Sequence, residues 1–269
     1  MDAIDILSAI SVLNRDNAKR FTETKRLDAI TSLLWNSKYR RINADGLFHL
    51  YAKKPLTSLS QDQVIVVSTH VDCERHITEC FFEDIGNGLI KGTFDNVLTN
   101  AASLSLMLSD TLPENVIIAF TGDEEETSVG ANSLIRFFRD HQIHVKHIFV
   151  LDVTEMAWKD DADYTIENDL WSAEVLGKRI INSAEKLPYT WRFVPADPDN
   201  IPDYIKEGNI IYEEAAEDES WNYDDEDFGC CSICIPVYGN MHSNGGVLAR
   251  KVSLFHFVEF LNELINNCC

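Results

Sequence analysis

Basic residues are scarce in this sequence. Its 269 residues include 23 Lys and Arg against 44 Asp and Glu, which gives a formal net charge of −21 and a pI near 4.6. No nucleic-acid partner is expected, because the phosphates would be repelled rather than neutralised. Small cationic or zwitterionic ligands remain compatible with this charge.

Long apolar runs are also missing. No uninterrupted apolar stretch approaches the roughly 18–20 residues that span a bilayer, so no membrane anchor is predicted. Residues 1–20 carry acids where a secretory signal carries basic residues, and their apolar positions recur at helical spacing. We therefore expect a cytoplasmic protein in which this stretch forms a surface helix.

Paired cysteine motifs are scarce too. The seven cysteines are odd in number and unevenly spaced, which favours reduced thiols over a disulfide framework. Cys230, Cys231 and Cys234 could form half of a metal knuckle, but no second CxxC-like pair accompanies them. We interpret these three cysteines as buried residues of a strand.

The apolar pattern predicts an α/β fold. With 45% hydrophobic residues the chain can bury a large core, and one domain is favoured over two small ones, because no repeat, linker or boundary is visible. Strands alternating with helices predict a mixed, mainly parallel central sheet with helices on both faces. Helices are predicted near residues 2–14, 24–36, 96–109, 130–140, 170–185 and 253–266. Strands are predicted near 47–52, 63–69, 115–121, 147–153, 189–194 and 232–238, with a hairpin across 80–93. Pro236 would place the strand at 232–238 at a sheet edge or bulge.

Three predicted buried strands end in side chains that can bind metals. His70 follows the strand at 63–69, Glu124 and Glu125 follow the strand at 115–121, and Asp152 lies near the end of the strand at 147–153. Ligands of such sheets collect at the carboxyl ends of the strands. Each motif has an ordinary explanation by itself, as a loop, a solvated face or a helix cap. Their coincidence at successive strand ends favours a metal site.

Asp95 and His242 complete a site for two metals. Zinc binds imidazole nitrogen and carboxylate oxygen, and a two-metal site needs a carboxylate that bridges both ions. Each metal would have one histidine and one terminal carboxylate, and Asp95 would be shared. The ligands would be His70, Asp95, Glu125, Asp152 and His242. Glu125 is preferred to Glu126 because of its spacing to Gly130.

Two further acids have predicted roles. Glu124 would act as the general base that takes a proton from the attacking water and returns it to the leaving amine. Asp72, two residues after His70, would accept the second imidazole N–H and orient the ring. Tyr238 could donate a hydrogen bond to the tetrahedral intermediate, but a position in the core is favoured for it.

The motifs HVD (70–72), GTFDN around Asp95, DEEETSVGA (123–131), LDVTE around Asp152 and YGNMHS ending at 242–243 occur here in one order. In that order and spacing the sequence resembles the cocatalytic zinc aminopeptidases, both the compact bacterial leucyl-type enzymes and the tetrahedral aminopeptidases, over roughly residues 60–265. The resemblance implies that residues 1–269 form a single zinc-peptidase-like catalytic domain that removes N-terminal residues from peptides. It also implies two divalent ions, zinc first with cobalt or manganese as alternatives, bound by the five ligands above, with Glu124 as general base.

Some family features are missing here. Residues 71–94 have room only for a hairpin in place of the extra domain of the tetrahedral enzymes, so their assembly is not implied and the oligomeric state stays open. Residues 153–241 are too few for the lid of the related carboxypeptidases, and Gly245 and Gly246 replace an acid of the family. The alternatives are a zinc carboxypeptidase or N-acyl amidohydrolase with the same metals, and a non-catalytic binding domain. The acidic segment 213–227 is either a solvated loop or a wall that favours cationic groups of a substrate.

Overall fold

The structure is a computed structural model that describes residues 1–13, 24–44, 47–171, 173–224 and 228–269. Its helices are α1 (Ala3–Ile10), α2 (Thr24–Leu33), α3 (Leu56–Leu59), α4 (Val97–Ser109), α5 (Val129–Asp140), α6 (Glu174–Glu185), α7 (Ser220–Tyr223) and α8 (Lys251–Cys268). Its strands are β1 (Arg40–Ala44), β2 (Phe48–Ala52), β3 (Gln63–His70), β4 (Phe82–Gly86), β5 (Leu89–Gly92), β6 (Val116–Thr121), β7 (His144–Thr154), β8 (Tyr164–Glu167), β9 (Trp191–Val194), β10 (Gly229–Pro236) and β11 (Val247–Arg250). Residues 14–20 of the predicted N-terminal surface helix, residue 172 of the helix predicted near 170–185, and residues 225–227 of the acidic segment lie outside the described residues.

An eight-stranded sheet in the order β1-β2-β6-β3-β7-β10-β8-β9 forms the centre of the protein. Its four inner strands β6, β3, β7 and β10 pair in parallel. β2 runs antiparallel to both β1 and β6, and β8 runs antiparallel to β10 but parallel to β9. The predicted α/β class, with a mixed and mainly parallel sheet, is confirmed.

Both faces of the sheet are covered, which explains the continuous β-branched run of β3. Ile65 and Val67 pack into the core formed with α1, α2, α4, α6 and α8. Val64 and Val66 face the opposite side, in the core formed with α3, α5 and α7. Because successive side chains of a strand point to opposite faces, a strand covered on both sides needs apolar residues at every position.

The predicted hairpin forms a small separate sheet. β4 and β5 pair around Asn87 and Gly88, both with positive φ, and β11 pairs with the other side of β5. Two central residues with positive φ are what a tight hairpin turn requires, and they explain the Gly-Asn-Gly sequence. The hairpin and the loop before it occupy residues 71–94, as the sequence predicts.

The edge or bulge predicted for the strand around Pro236 is wrong, because β10 is an inner strand that pairs with β7 through Pro236 without a register shift. β10 lies between β7 and β8, and the prediction failed because the sequence did not indicate β8. Pro236 is tolerated as the last residue of β10. The pairing with β8 ends at Cys234, and on the other side Val237 N donates to Thr154 O at 2.8 Å, so no sheet hydrogen bond needs a Pro236 N–H. The predicted burial of Cys230, Cys231 and Cys234 on this strand is confirmed.

The acidic segment is not an exposed loop throughout. α7 lies within it and contacts β7, β10 and α5. Glu219, Ser220 and Tyr223 are buried, whereas Glu213 and Glu217 are exposed. No described helix combines the length and the apolar character needed to cross a membrane. The cytoplasmic location stays a prediction.

Candidate active site

The predicted site residues meet at the carboxyl ends of the central strands. His70 is the last residue of β3, Glu124 and Glu125 follow β6, and Asp152 lies near the end of β7. Asp95 immediately precedes the residue that caps α4, and His242 lies in the loop between β10 and β11. The parallel pairing of β3 with β6 and β7 places the first three of these strand ends side by side.

Asp95 lies between the two histidines. Its Oδ1 is 3.1 Å from His70 Nε2, and its Oδ2 is 3.2 Å from His242 Nε2. Asp152 Oδ1 is 3.6 Å from His70 Nε2, and Glu125 Oε2 is 3.5 Å from His242 Nε2. We refer to the candidate ligands His70, Asp95 and Asp152 as the first metal position, and to the candidate ligands Asp95, Glu125 and His242 as the second metal position.

These distances fit divalent metals. Ligand atoms bound tetrahedrally at about 2.0–2.1 Å from zinc lie about 3.3 Å from one another. Neither ring nitrogen of the buried His70 has a partner with hydrogen-bond geometry. A cation would give His70 Nε2 the partner that a buried polar atom needs. Potential ligand atoms of His70, Asp95 and Glu125 lie within 4.8 Å of one another, and so do those of Glu74, Glu125 and His242.

The electrostatics also suit cations. Burial raises the pKa of Glu124, Glu125 and Asp152, and repulsion from Asp95 adds to the effect in each case. Burial lowers the pKa of His70, but attraction to Glu124 and Asp152 outweighs it and raises that pKa well above its ordinary value. Without metal the site therefore holds protons at positions where bound cations would remove the repulsion.

Asp72 contacts both the end of β3 and the turn that follows β6. Its Oδ1 is 3.4 Å from His70 Nδ1, a contact without hydrogen-bond geometry, so its role in orienting the ring stays a prediction. Its Oδ2 accepts a hydrogen bond from Glu125 N at 3.3 Å. The second contact was not predicted from the sequence, and it ties the acidic turn after β6 to the end of β3.

The acidic turn separates its four acids. Asp123 is buried with a positive φ, and its carboxylate accepts a hydrogen bond from Thr127 Oγ1. Glu126 forms an ion pair with Arg75. Glu125 is the acid of this turn that lies beside His242, and it is also the acid that the spacing to Gly130 favours as a ligand.

A cavity of about 710 Å³ opens over the two metal positions. Its lining includes Glu124, Glu155, Glu213, Glu217 and Met156. No Lys or Arg is among the described residues that line it. A second cavity of about 820 Å³ shares Glu155, Met156 and Glu213 with the first.

The core position favoured for Tyr238 is wrong. Its side chain is 57% exposed. The ring stacks on Trp158 with centroids 5.9 Å apart, at the wall of the second cavity. The sequence could not indicate this position, because it depends on a stacking partner that is distant along the chain.

The fold is that of aminopeptidases of known structure. The TET1 peptidase of Pyrococcus horikoshii superimposes with a TM-score of 0.68 at 10% identity, covering 98% of this chain and 99% of that one. An aminopeptidase from Desulfurococcus kamchatkensis gives 0.69 at 12% identity, over 98% and 94% of the two chains. PepT from Bacillus cereus gives 0.67 at 10% identity, over 99% and 98%. No protein-family model and no curated protein matches the sequence. The fold implied by the sequence motifs is confirmed.

Proposed function

We propose that this protein is a dinuclear metal-dependent aminopeptidase that hydrolyses N-terminal residues from peptides, with residues 1–269 as a single catalytic domain. The observation that carries the proposal is Asp95, with one carboxylate oxygen beside each histidine. A carboxylate that can bridge two ions is what a two-metal hydrolytic site needs. The mixed imidazole and carboxylate donors suit zinc, with cobalt or manganese as alternatives.

Glu124 and Asp72 have different roles in the proposed reaction. The two ions would polarise the scissile carbonyl and lower the pKa of the attacking water. Glu124 lines the cavity with Oε2 3.9 Å from His70 Nε2, and it belongs to neither metal position. In its ionised form it accepts a proton from the water and passes it to the leaving amine. Asp72 orients His70 through Nδ1.

The acidic cavity supports a substrate with a free α-amino group. Carboxylates line it in excess of those that the two metal positions use, including Glu155, Glu213 and Glu217. A negative cleft attracts cations and raises their local concentration. Because Glu213 and Glu217 belong to the acidic segment 213–227, their position in this lining favours a substrate wall over a solvated loop as the role of the segment.

The replacement Glu124→Gln tests the mechanism. It keeps the size of the side chain but removes the base, so kcat should fall by about 10²–10⁴-fold, while metal analysis still finds two ions per chain. Glu126→Gln is the matched control, because Glu126 is adjacent and belongs to neither metal position. Full activity of Glu124→Gln would contradict its role as base, and loss of metal would make it a ligand.

A substrate panel tests the reaction class. An aminopeptidase cleaves aminoacyl amides with a free amine and leaves their N-acylated counterparts intact. Cleavage of only the N-acylated compounds would instead support a carboxypeptidase or N-acyl amidohydrolase. A metal-loaded protein that cleaves neither set would support a non-catalytic binding domain.

A further inference from the structure

Glu74 lies beside the second metal position. Potential ligand atoms of Glu74, Glu125 and His242 lie within 4.8 Å of one another, and Glu74 lines the same cavity as the metal positions. Glu74 comes two residues after Asp72, in the loop that follows β3. Nothing in the sequence motifs assigns it a role.

The loop with Glu74 is joined to the loop with His242. His76 Nε2 is 2.5 Å from His242 O, and His76 Nδ1 is 3.6 Å from Glu74 Oε2. Asn244 Oδ1 accepts hydrogen bonds from Thr78 N at 2.7 Å and from Thr78 Oγ1 at 3.0 Å. Asn244 Nδ2 donates to His76 O at 3.0 Å. These contacts hold Glu74 in place relative to His242, although the His242 side chain is 46% exposed.

We infer that Glu74 is an additional carboxylate ligand of the second metal position. The inference rests on the two-metal site proposed above. With Glu74 the second position has four protein ligands, whereas the first position has three. Zinc sites with four protein ligands are closed, and sites with three keep a position for water or substrate.

The asymmetry has a measurable consequence. An additional carboxylate increases the negative charge at the second position, so that position binds its ion more tightly than the first does. The first position then exchanges its ion more readily.

Zinc titration against a competing chelator tests this inference. The intact chain should bind two zinc ions with unequal affinities. Glu74→Gln keeps the shape of the side chain but removes its charge, so the tighter zinc affinity should fall by about tenfold or more, as it does when groups that support a metal are lost. The weaker affinity should change by less than about twofold.

Glu155→Gln is the matched control, because Glu155 is exposed and lines the same cavity but lies in neither candidate ligand group. It should leave both affinities unchanged. Two unaltered zinc affinities in Glu74→Gln overturn the inference and leave the two-metal site intact. An equal loss in both variants overturns it as well, because the effect is then one of general charge. A native chain that binds fewer than two zinc ions refutes the two-metal site itself.

The cobalt-substituted protein gives a second readout. Loss of a carboxylate ligand changes the coordination of Co²⁺ and therefore its visible absorption, whereas a neighbouring charge shifts it little. The spectrum of Glu74→Gln should differ from that of the native chain, and the spectrum of Glu155→Gln should not. Identical spectra in all three proteins contradict the ligand role.

Discussion

Glu219 makes the stability of the metal-free protein depend on pH. It belongs to the acidic segment, yet it is 1% exposed, and its Oε2 accepts a hydrogen bond from Ser68 Oγ at 3.0 Å. Burial raises its pKa to about 7, an increase that attraction to His70 and the hydrogen bond from Ser68 partly offset. The folded protein therefore prefers Glu219 in its protonated form.

The sign and size of the effect follow from this pKa. The unfolded chain loses the Glu219 proton near an ordinary pKa of 4.5, whereas the folded protein keeps it up to about pH 7. The contribution of Glu219 is thus most favourable below pH 4.5 and is lost as the pH rises to 7. At about 1.4 kcal/mol per pH unit, the loss is about 3 kcal/mol.

The replacement Glu219→Gln removes this loss, because the amide is neutral at every pH. Urea unfolding of the metal-free proteins between pH 5 and 8 measures the effect. The free energy of unfolding of the variant, minus that of the native chain, should rise by about 2–3 kcal/mol across this range. Glu217→Gln is the control, because Glu217 lies two residues away and is exposed. Its difference from the native chain should stay nearly constant. If the Glu219→Gln difference is equally constant, Glu219 has the same pKa in both states and the reasoning fails.

Two further pairs of replacements test the site and the fold. Asp95→Asn changes the carboxylate shared by both metal positions, so metal analysis should find both ions lost. Asp152→Asn should lose only the ion of the first position. An Asp95→Asn protein that binds two ions would contradict the sharing of Asp95. Gly130→Ala would place a Cβ 2.3 Å from Gly122 O, a backbone atom, and should lower the free energy of unfolding in urea by roughly 1–3 kcal/mol. The control Gly208→Ala, with no atom within 4 Å of the new Cβ, should cost less, and equal losses would contradict the steric explanation.

The sequence predicts the inner strands well because their environment leaves a strong pattern. β3, β6 and β7 are covered on both faces, so they appear as apolar runs that end in polar ligands. β8 is only four residues long and ends in the buried Glu167, so its pattern is too short and too polar to recognise. The wrong edge position of Pro236 follows from that omission, because β8 is what places β10 inside the sheet.

The residues of the candidate site also differ in whether the sequence could predict their positions. His70, Asp152 and the acids after β6 could be predicted, because strand ends of a parallel sheet converge. Glu74 could not, since its approach to His242 depends on how two loops pack through His76. Glu219 could not be distinguished from its exposed acidic neighbours either, because only tertiary packing decides which acid of a charged segment is buried.

The crowding of carboxylates supports metal binding independently of the fold comparisons. Burial and mutual repulsion raise the pKa of Glu124, Glu125 and Asp152, so each of them carries an energetic cost at neutral pH when no cation is present. A binding domain without metals would become more stable if an uncharged residue replaced any one of them. Two divalent cations would convert the same repulsion into attraction. The proposed two-metal site would therefore explain the joint presence of these acids around Asp95.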